Sequence, residues 1–557
     1  MSIFSFGKWN SGDTVGRWAG GIALFALAVA IARLCATYTV FSPTYDEPNH
    51  VAAGMEWLDK GTYHYEFQHP PLARIAVALG PYLAGLRAQS IWDASKEGNA
   101  VLGSRPPYVR NLKWARLGTL PFFLLACAVV YAWGKRWFGQ KTGAAALVIF
   151  SCMPPVLGHA GLATTDVAVM AMVAAFLYQL LRWVEQPDWR RTVLLGLAAG
   201  GAFATKFSSF LFLPACAVAA AAYLFWTRRQ RPDSCSGALR RRQLAAACAL
   251  CFVVLWATYR FHVSPVSQLR GTHPGVDMYV SDARLRNAVY AVLEFPLPLS
   301  EISSGFNELA NHAKVGHESY LYGEFRTRGW WYFFPLMVAL KTPLGFLALA
   351  LMGFAALPPK SRTTHWQRYL TALFPVVMLA VCMPSRINLG IRHVLVIYPM
   401  LAIVAGDLLV RRMENGGRSR ILVMALAAWG VVGSAAAHPD YLAYFNEIAA
   451  RSPERIRTDS DLDWGQDWYR LAARLRALRV KSVSVGCFCN FEPSMLNLPP
   501  YGDLPRDAPV AGYVAISANL LEMEHAKDVA YGWLRKFQPL ERVGKSIFLY
   551  HIPDGAP

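Results

Sequence analysis

Charge is scarce in this sequence. Only 16% of its 557 residues are Asp, Glu, Lys or Arg, against roughly 25% in soluble domains, and that deficit excludes an ordinary soluble enzyme. A disulfide pattern is lacking too. The ten cysteines are scattered, most of them inside apolar runs, so no disulfide framework is expected. Cys487 and Cys489 read as two residues on one face of a strand rather than as a disulfide or a metal site. No internal repeat of fixed period stands out, nor the paired broken-helix symmetry of many transporters. No small-residue cleavage site follows the first apolar run, which is therefore expected to stay in the chain. The formal charge of +19 is dispersed among loops and forms no continuous stripe, which argues against a nucleic-acid partner.

What the sequence has in quantity is apolar length. Hydrophobic residues make up 54% and aromatics 13%, and runs near or above the roughly 20 residues that cross a bilayer recur along the chain. They predict eleven spans, at about 17–40, 114–134, 142–160, 165–184, 192–205, 207–227, 243–260, 332–356, 367–383, 393–411 and 420–437. Lys and Arg collect after every second span: Lys135, Arg136 and Lys141; Arg190 and Arg191; Arg228, Arg229, Arg231, Arg240, Arg241 and Arg242; Lys360 and Arg362; Arg411, Arg412, Arg418 and Arg420. Cytoplasmic loops carry such an excess, which puts the N-terminus inside and the C-terminus outside.

The expected fold is a polytopic α-helical membrane protein of about eleven transmembrane helices. Residues 1–437 form the membrane module, with outer loops at 41–113 and 261–331, and 438–557 form a small α/β extracytoplasmic domain. In the first outer loop Pro48 can open a short helix to Asp59. The stretch 71–86 is too short to span and is expected to lie along the interface or re-enter. Trp330, Trp331 and Tyr332 close the second outer loop as an interfacial aromatic cluster. In the C-terminal region the pattern predicts a helix at 467–478 and strands near 481–487, 511–517 and 545–551.

The chemistry-bearing residues sit at span ends. Thr44-Tyr45-Asp46-Glu47-Pro48 places two adjacent carboxylates where the first span meets water, and ionisable groups at a membrane boundary are functional candidates. Asp46 or Glu47 can act as a general base toward a hydroxyl or amine; helix capping ahead of Pro48, which needs only one of them, is the other reading. His69, before Pro70-Pro71, can bind a phosphate or orient an acid, or is simply a loop histidine. Asp166 follows Thr164-Thr165 on the same outer side, either as a helix cap or as a second acid facing Asp46.

Lys206, Arg386, Arg392 and His393 lie at the outer boundary, against the positive-inside bias, so orientation does not account for them. Lys341 lies roughly 13 Å into its span at 1.5 Å per residue, and Arg33 is likewise inside a span; both require polar surroundings. Several cations at one interface suit a phosphate. The alternating aspartates from Asp459 to Asp467 imitate a calcium loop. They lack its glycine, with Trp464 in that place, and its final Glu, with Arg470 there, so the run reads as a docked loop.

In combination these pieces resemble a family. Tyr45-Asp46-Glu47-Pro48, His69-Pro70-Pro71, Ala163-Thr164-Thr165-Asp166 and Ala204-Thr205-Lys206 are similar to motifs of the protein O-mannosyltransferase and aminoarabinose transferase group, in the glycosyltransferase C superfamily. Gly329-Trp330-Trp331-Tyr332, Leu340-Lys341-Thr342-Pro343, Arg392-His393 and Asp463-Trp464-Gly465-Gln466-Asp467 look like its bacterial, phospholipid carrier-dependent branch.

The resemblance implies a polyprenyl-phosphate sugar donor, a lipid, glycan or protein acceptor, and a site at the periplasmic face of a bacterial inner membrane. Asp46 matches the family's acidic position, with Glu47 and Tyr45 beside it, and Asp166 matches the second acidic loop residue. Lys206, Arg386, Arg392, His393 and Lys341 are the candidates for the donor phosphate. No cofactor is specified. Two acids and a phosphate could hold a divalent metal, but no ligand set singles one out. The competing reading is a flippase that carries a lipid-linked sugar without chemistry.

Overall fold

The computed structural model describes residues 14–228, 237–267, 276, 280–357, 366–491, 493–527 and 530–554. Seven helices among these residues are long and apolar enough to cross a membrane: Trp18–Thr37, Tyr108–Phe138, Asp166–Glu185, Ser209–Thr227, Leu239–Thr258, Ile391–Asn415 and Arg418–Ala436. Each coincides with a predicted span. An eighth, predicted at 142–160, is two helices, Gln140–Ser151 and Pro154–Ala160, bent by 65°. The bend falls where Pro154 removes a backbone donor. The span predicted at 332–356 is broken as well, into Phe333–Lys341 and Leu344–Ala355 around Thr342-Pro343. Those at 192–205 and 367–383 are the helices Trp189–Phe203 and Trp366–Cys382, of 15 and 17 residues. Of the loop cations used for orientation, Arg229, Arg231, Lys360 and Arg362 lie outside the described residues.

Residues 41–113 hold the two expected short helices, Glu47–Asp59 and Pro71–Leu83, and a third, Ala94–Gly103. The first two touch at Gly54, where an added Cβ would lie 2.1 Å from the carbonyl oxygen of Arg74; only a residue without a side chain permits that approach. Neither carboxylate caps the first of these helices. Asp46 occupies the N-cap with helical φ and ψ and accepts no cap bond from the helix, so the capping reading is corrected.

The C-terminal region forms a five-stranded mixed sheet in the order Tyr501–Asp503, Val483–Gly486, Gly512–Ser517, Ile547–Ile552, Glu541–Val543. The first three strands run parallel and the last two pair antiparallel. The three expected strands and the helix Trp468–Ala477 are present; the two edge strands are too short to show an alternation. Cys487 and Cys489 are a correction. They lie past the strand end at Gly486, where the chain curls, and a disulfide joins them with Cα atoms 5.4 Å apart.

Between sheet and membrane module, residues 440–467 are built into the module. Asn446 donates to the carbonyls of Ala339 and Thr342 at 2.6 and 2.9 Å, supplying donors that the Thr342-Pro343 break removed. Lys341 donates to the carbonyls of Leu442 and Asp461. Arg457 is fully buried, pairs with Asp459 and Asp461, and donates to the carbonyls of Tyr320 and Asn388. Arg33 resolves in the same way, bonding the Ser434 carbonyl at 2.6 Å and the Tyr441 hydroxyl at 2.7 Å.

Candidate active site

Asp46 stands at the head of the helix Glu47–Asp59, and its Oδ2 accepts a hydrogen bond from Arg392 Nη1 at 2.6 Å. Arg392 is brought there by a turn at Gly390, whose φ of +111° disfavours any residue with a side chain. The Asp461 carboxylate fits against that bare Cα, 2.8 Å from where a Cβ would be, and accepts the Ile391 N–H at 2.9 Å. The guanidinium of Arg392 rests over the Trp464 ring, 4.3 Å from its centroid. Trp464 in turn accepts the Tyr45 N–H at its carbonyl. Tyr45 stacks on Phe488 at 5.1 Å, and Phe488 is the residue between the two bridged cysteines. The C-terminal region therefore supplies one side of the wall around Asp46.

Lys206, in the turn after the helix Trp189–Phe203, reaches Asp166 Oδ1 at 2.6 Å. Asp166 is buried behind it. On the side of the first outer loop, His50 lies one helical turn after Asp46 and is 3% exposed, with its Nδ1 unpartnered. Burial depresses its imidazole to about 4, so the ring is neutral at ordinary pH. His69 meets it edge-on at 5.2 Å and bonds Glu66 Oε1 from Nδ1 at 2.9 Å. Burial pushes the Glu66 carboxyl up, but Arg74 and His69 outweigh it and hold the group well below the usual carboxylate range.

These residues surround a cavity of about 930 Å³. Apolar side chains from the spanning helices, including Val169, Leu211, Phe212 and Val381, share its lining with Asp46, His50, His69, Lys206, Arg392 and His393. His393 stacks on Phe334. The structure thus assembles Tyr45, Asp46, His69, Lys206, Arg392 and His393 of the predicted site residues on one cavity, with Asp166 held against Lys206.

Three predicted residues fall elsewhere. Glu47 is fully buried and accepts from Arg116 Nε and Nη2, Thr44 N and Ala163 N, all at 2.8 Å. Burial raises its carboxyl, yet Arg116 and the amide donors prevail and hold it low; it is a strut between loops. Lys341 is consumed by the two carbonyls it fastens. Arg386 is exposed and does not line the cavity. The cavity is also lined by residues that the sequence reading did not place in the site: His312 and His317 from residues 261–331, and Asp459, Trp464, Phe488 and Asn519 from the C-terminal region. His50 had a legible signal, since it follows Asp46 by four residues on one helix face. Among the described residues no three His, Cys, Asp or Glu side chains are grouped to hold a metal ion.

Residues 111–261 match the family model described as dolichyl-phosphate-mannose-protein mannosyltransferase. No curated protein matches the sequence. Among solved structures, ArnT from Cupriavidus metallidurans bound to undecaprenyl phosphate is similar, with a TM-score of 0.52 at 14% identity, over 95% of this chain and 98% of that one. Its apo form gives 0.51 at 15% over the same shares. The oligosaccharyltransferase AglB from Archaeoglobus fulgidus, in complex with an inhibitory peptide and a dolichol-phosphate, gives 0.46 at 11%, over 97% of this chain and 75% of that one. The chain shares the ArnT fold over nearly its whole length, and the mannosyltransferase family model matches residues 111–261.

Proposed function

We propose that this protein is a membrane glycosyltransferase that moves a sugar from a polyprenyl-phosphate donor to an acceptor at the outer, periplasmic face of a bacterial inner membrane. The observation that carries this reading is one cavity that combines a partly exposed carboxylate, Asp46, with two cations, Lys206 and Arg392, and apolar side chains of the spanning helices. A phosphate on a long hydrocarbon needs that mixture: donors for its oxygens and an apolar path for its chain. The fold of ArnT, solved with undecaprenyl phosphate, supports the same class of donor.

In the reaction the acceptor hydroxyl or amine attacks the anomeric carbon while Asp46 takes its proton. The bond from that carbon to the phosphate oxygen breaks, and Lys206 and Arg392 stabilise the charge that the phosphate gains. Phosphate leaves without protonation, so one base suffices, and a single displacement inverts the anomeric carbon. The eleven-span topology that the loop charges predict, with the N-terminus inside, would put the cavity at the outer face. Purified protein in detergent should consume a polyprenyl-phosphate sugar and release the lipid phosphate. A flippase would leave the donor chemically unchanged, and that result would end the transferase reading.

A further inference from the structure

Lys206 and Arg392 on the cavity wall are both already engaged, but in different ways. Lys206 holds Asp166, a carboxylate whose side chain is 1% exposed and which does not line the cavity; that pair keeps a buried charge compensated. Arg392 holds Asp46, which does line the cavity and is 27% exposed. Its bond to Asp46 comes from Nη1 alone, and its Nε is buried with no partner. A guanidinium carries five donors in a planar fork that matches two oxygens of one anion. Arg392 is therefore held short of its bonding capacity beside the group that must act as base.

We propose that Arg392 changes partners during turnover: it holds Asp46 in the free protein and passes to the lipid phosphate as transfer proceeds, freeing the carboxylate for the acceptor's proton. This rests on reading the cavity as a glycosyl-transfer site. The donor is a phosphodiester with one negative charge. As the acceptor bonds to the anomeric carbon, the electron pair of the breaking carbon–oxygen bond goes to the phosphate, and the acceptor's proton goes to Asp46. The phosphate gains one negative charge while Asp46 loses one, so the total is unchanged and the cation between them follows it. Arginine suits this task because it stays protonated throughout.

Undecaprenyl phosphate is the probe and undecaprenol its uncharged control, each titrated against the full-length protein in detergent. In the wild type Asp46 competes with the lipid phosphate for Arg392. Asp46→Asn removes that competitor and keeps its shape, so it should bind undecaprenyl phosphate tighter, on the order of tenfold, with undecaprenol unaffected. Arg392→Gln should bind the phosphate more weakly, and adding Asp46→Asn to it should bring no gain, because the effect runs through one guanidinium. Where thermal melting shows Arg392→Gln unfolded, Arg392→Lys replaces it; with the fork gone, the gain should shrink. Unchanged or weaker binding by Asp46→Asn, or an undiminished gain without the arginine fork, overturns the exchange and leaves the transfer reading standing. A wild type that binds undecaprenol as well as its phosphate overturns both.

Discussion

Glu47 and Arg116 form a two-point ion pair with both side chains at 0% exposure, beside a neighbour, Asp46, that faces the cavity. One step along the chain separates a fully buried structural carboxylate from one that lines the cavity. Removing one member of a buried pair leaves the other uncompensated, at a cost of about 3–5 kcal/mol. Glu47→Gln should therefore lower the melting temperature sharply and reduce the yield of folded protein, as followed by thermal unfolding in detergent.

Asp46→Asn should do the opposite. The side chain is partly exposed and bonds only at Oδ2, so melting should hardly move, while turnover of a polyprenyl-phosphate sugar falls by about 10²- to 10⁴-fold, as for loss of a general base. Near-normal turnover would take Asp46 out of the mechanism.

Lys206 has two tasks that separate in a double variant. Lys206→Met strands the buried Asp166 carboxylate and should cost about 3 kcal/mol or more. Adding Asp166→Asn removes the stranded charge and should restore most of the melting temperature. Donor KM should stay raised, by tenfold or so, because the cavity has still lost a cation. A double variant with wild-type KM would mean that Lys206 serves structure alone.

His50 predicts a pH dependence. An unfolded histidine titrates near 6.5, whereas burial holds this one at about 4 against the opposing pull of Glu66 and Asp46, with His69 and Arg74 acting in the same direction as burial. Between those values the unfolded chain takes up a proton that the folded chain does not. The stability this residue contributes is whole above about pH 6.5 and is lost as pH falls toward about 4. As pH falls from about 6.5 toward about 4, the wild type should lose stability relative to His50→Gln; a difference constant with pH would count against a neutral buried imidazole.

The Cys487–Cys489 disulfide closes too short a loop to constrain the unfolded chain much. Its effect should be local, through Phe488 stacked on Tyr45 and Asn490 donating to the Tyr45 carbonyl. Replacing both cysteines by serine should lower turnover several-fold with a small change in melting; an unaltered rate would separate this loop from the site.

Seven spans were legible in the sequence because each is a long apolar run that needs no partner to be recognised; the orientation read from loop charge remains an expectation. Length alone did not reveal the breaks at Cys152-Met153 and Thr342-Pro343, which leave hydropathy untouched and interrupt only backbone bonding. Asp46, Lys206 and Arg392 were legible as polar residues at span ends. Lys341 showed the same signal and proved to be a fastener, since sequence does not say which polar partner comes to meet a buried charge. Trp464 and Phe488 were illegible as site residues because they arrive from far along the chain and carry no chemistry of their own. The aspartates from Asp459 to Asp467 do dock, against Arg457, the Ile391 N–H, Asn519 and Ser546.

The docking of residues 440–467 makes the cavity wall depend on a segment that follows the last spanning helix. Arg392 takes its position from a turn that Asp461 fills, and Asp46 faces it across a wall that Trp464 and Phe488 complete. Every spanning helix can therefore be in place while the cavity wall is still incomplete. A nascent chain stalled after its last span would sit in the lipid as an inert scaffold. On the proposed reading, activity would begin only when the final segment folds back onto the membrane module.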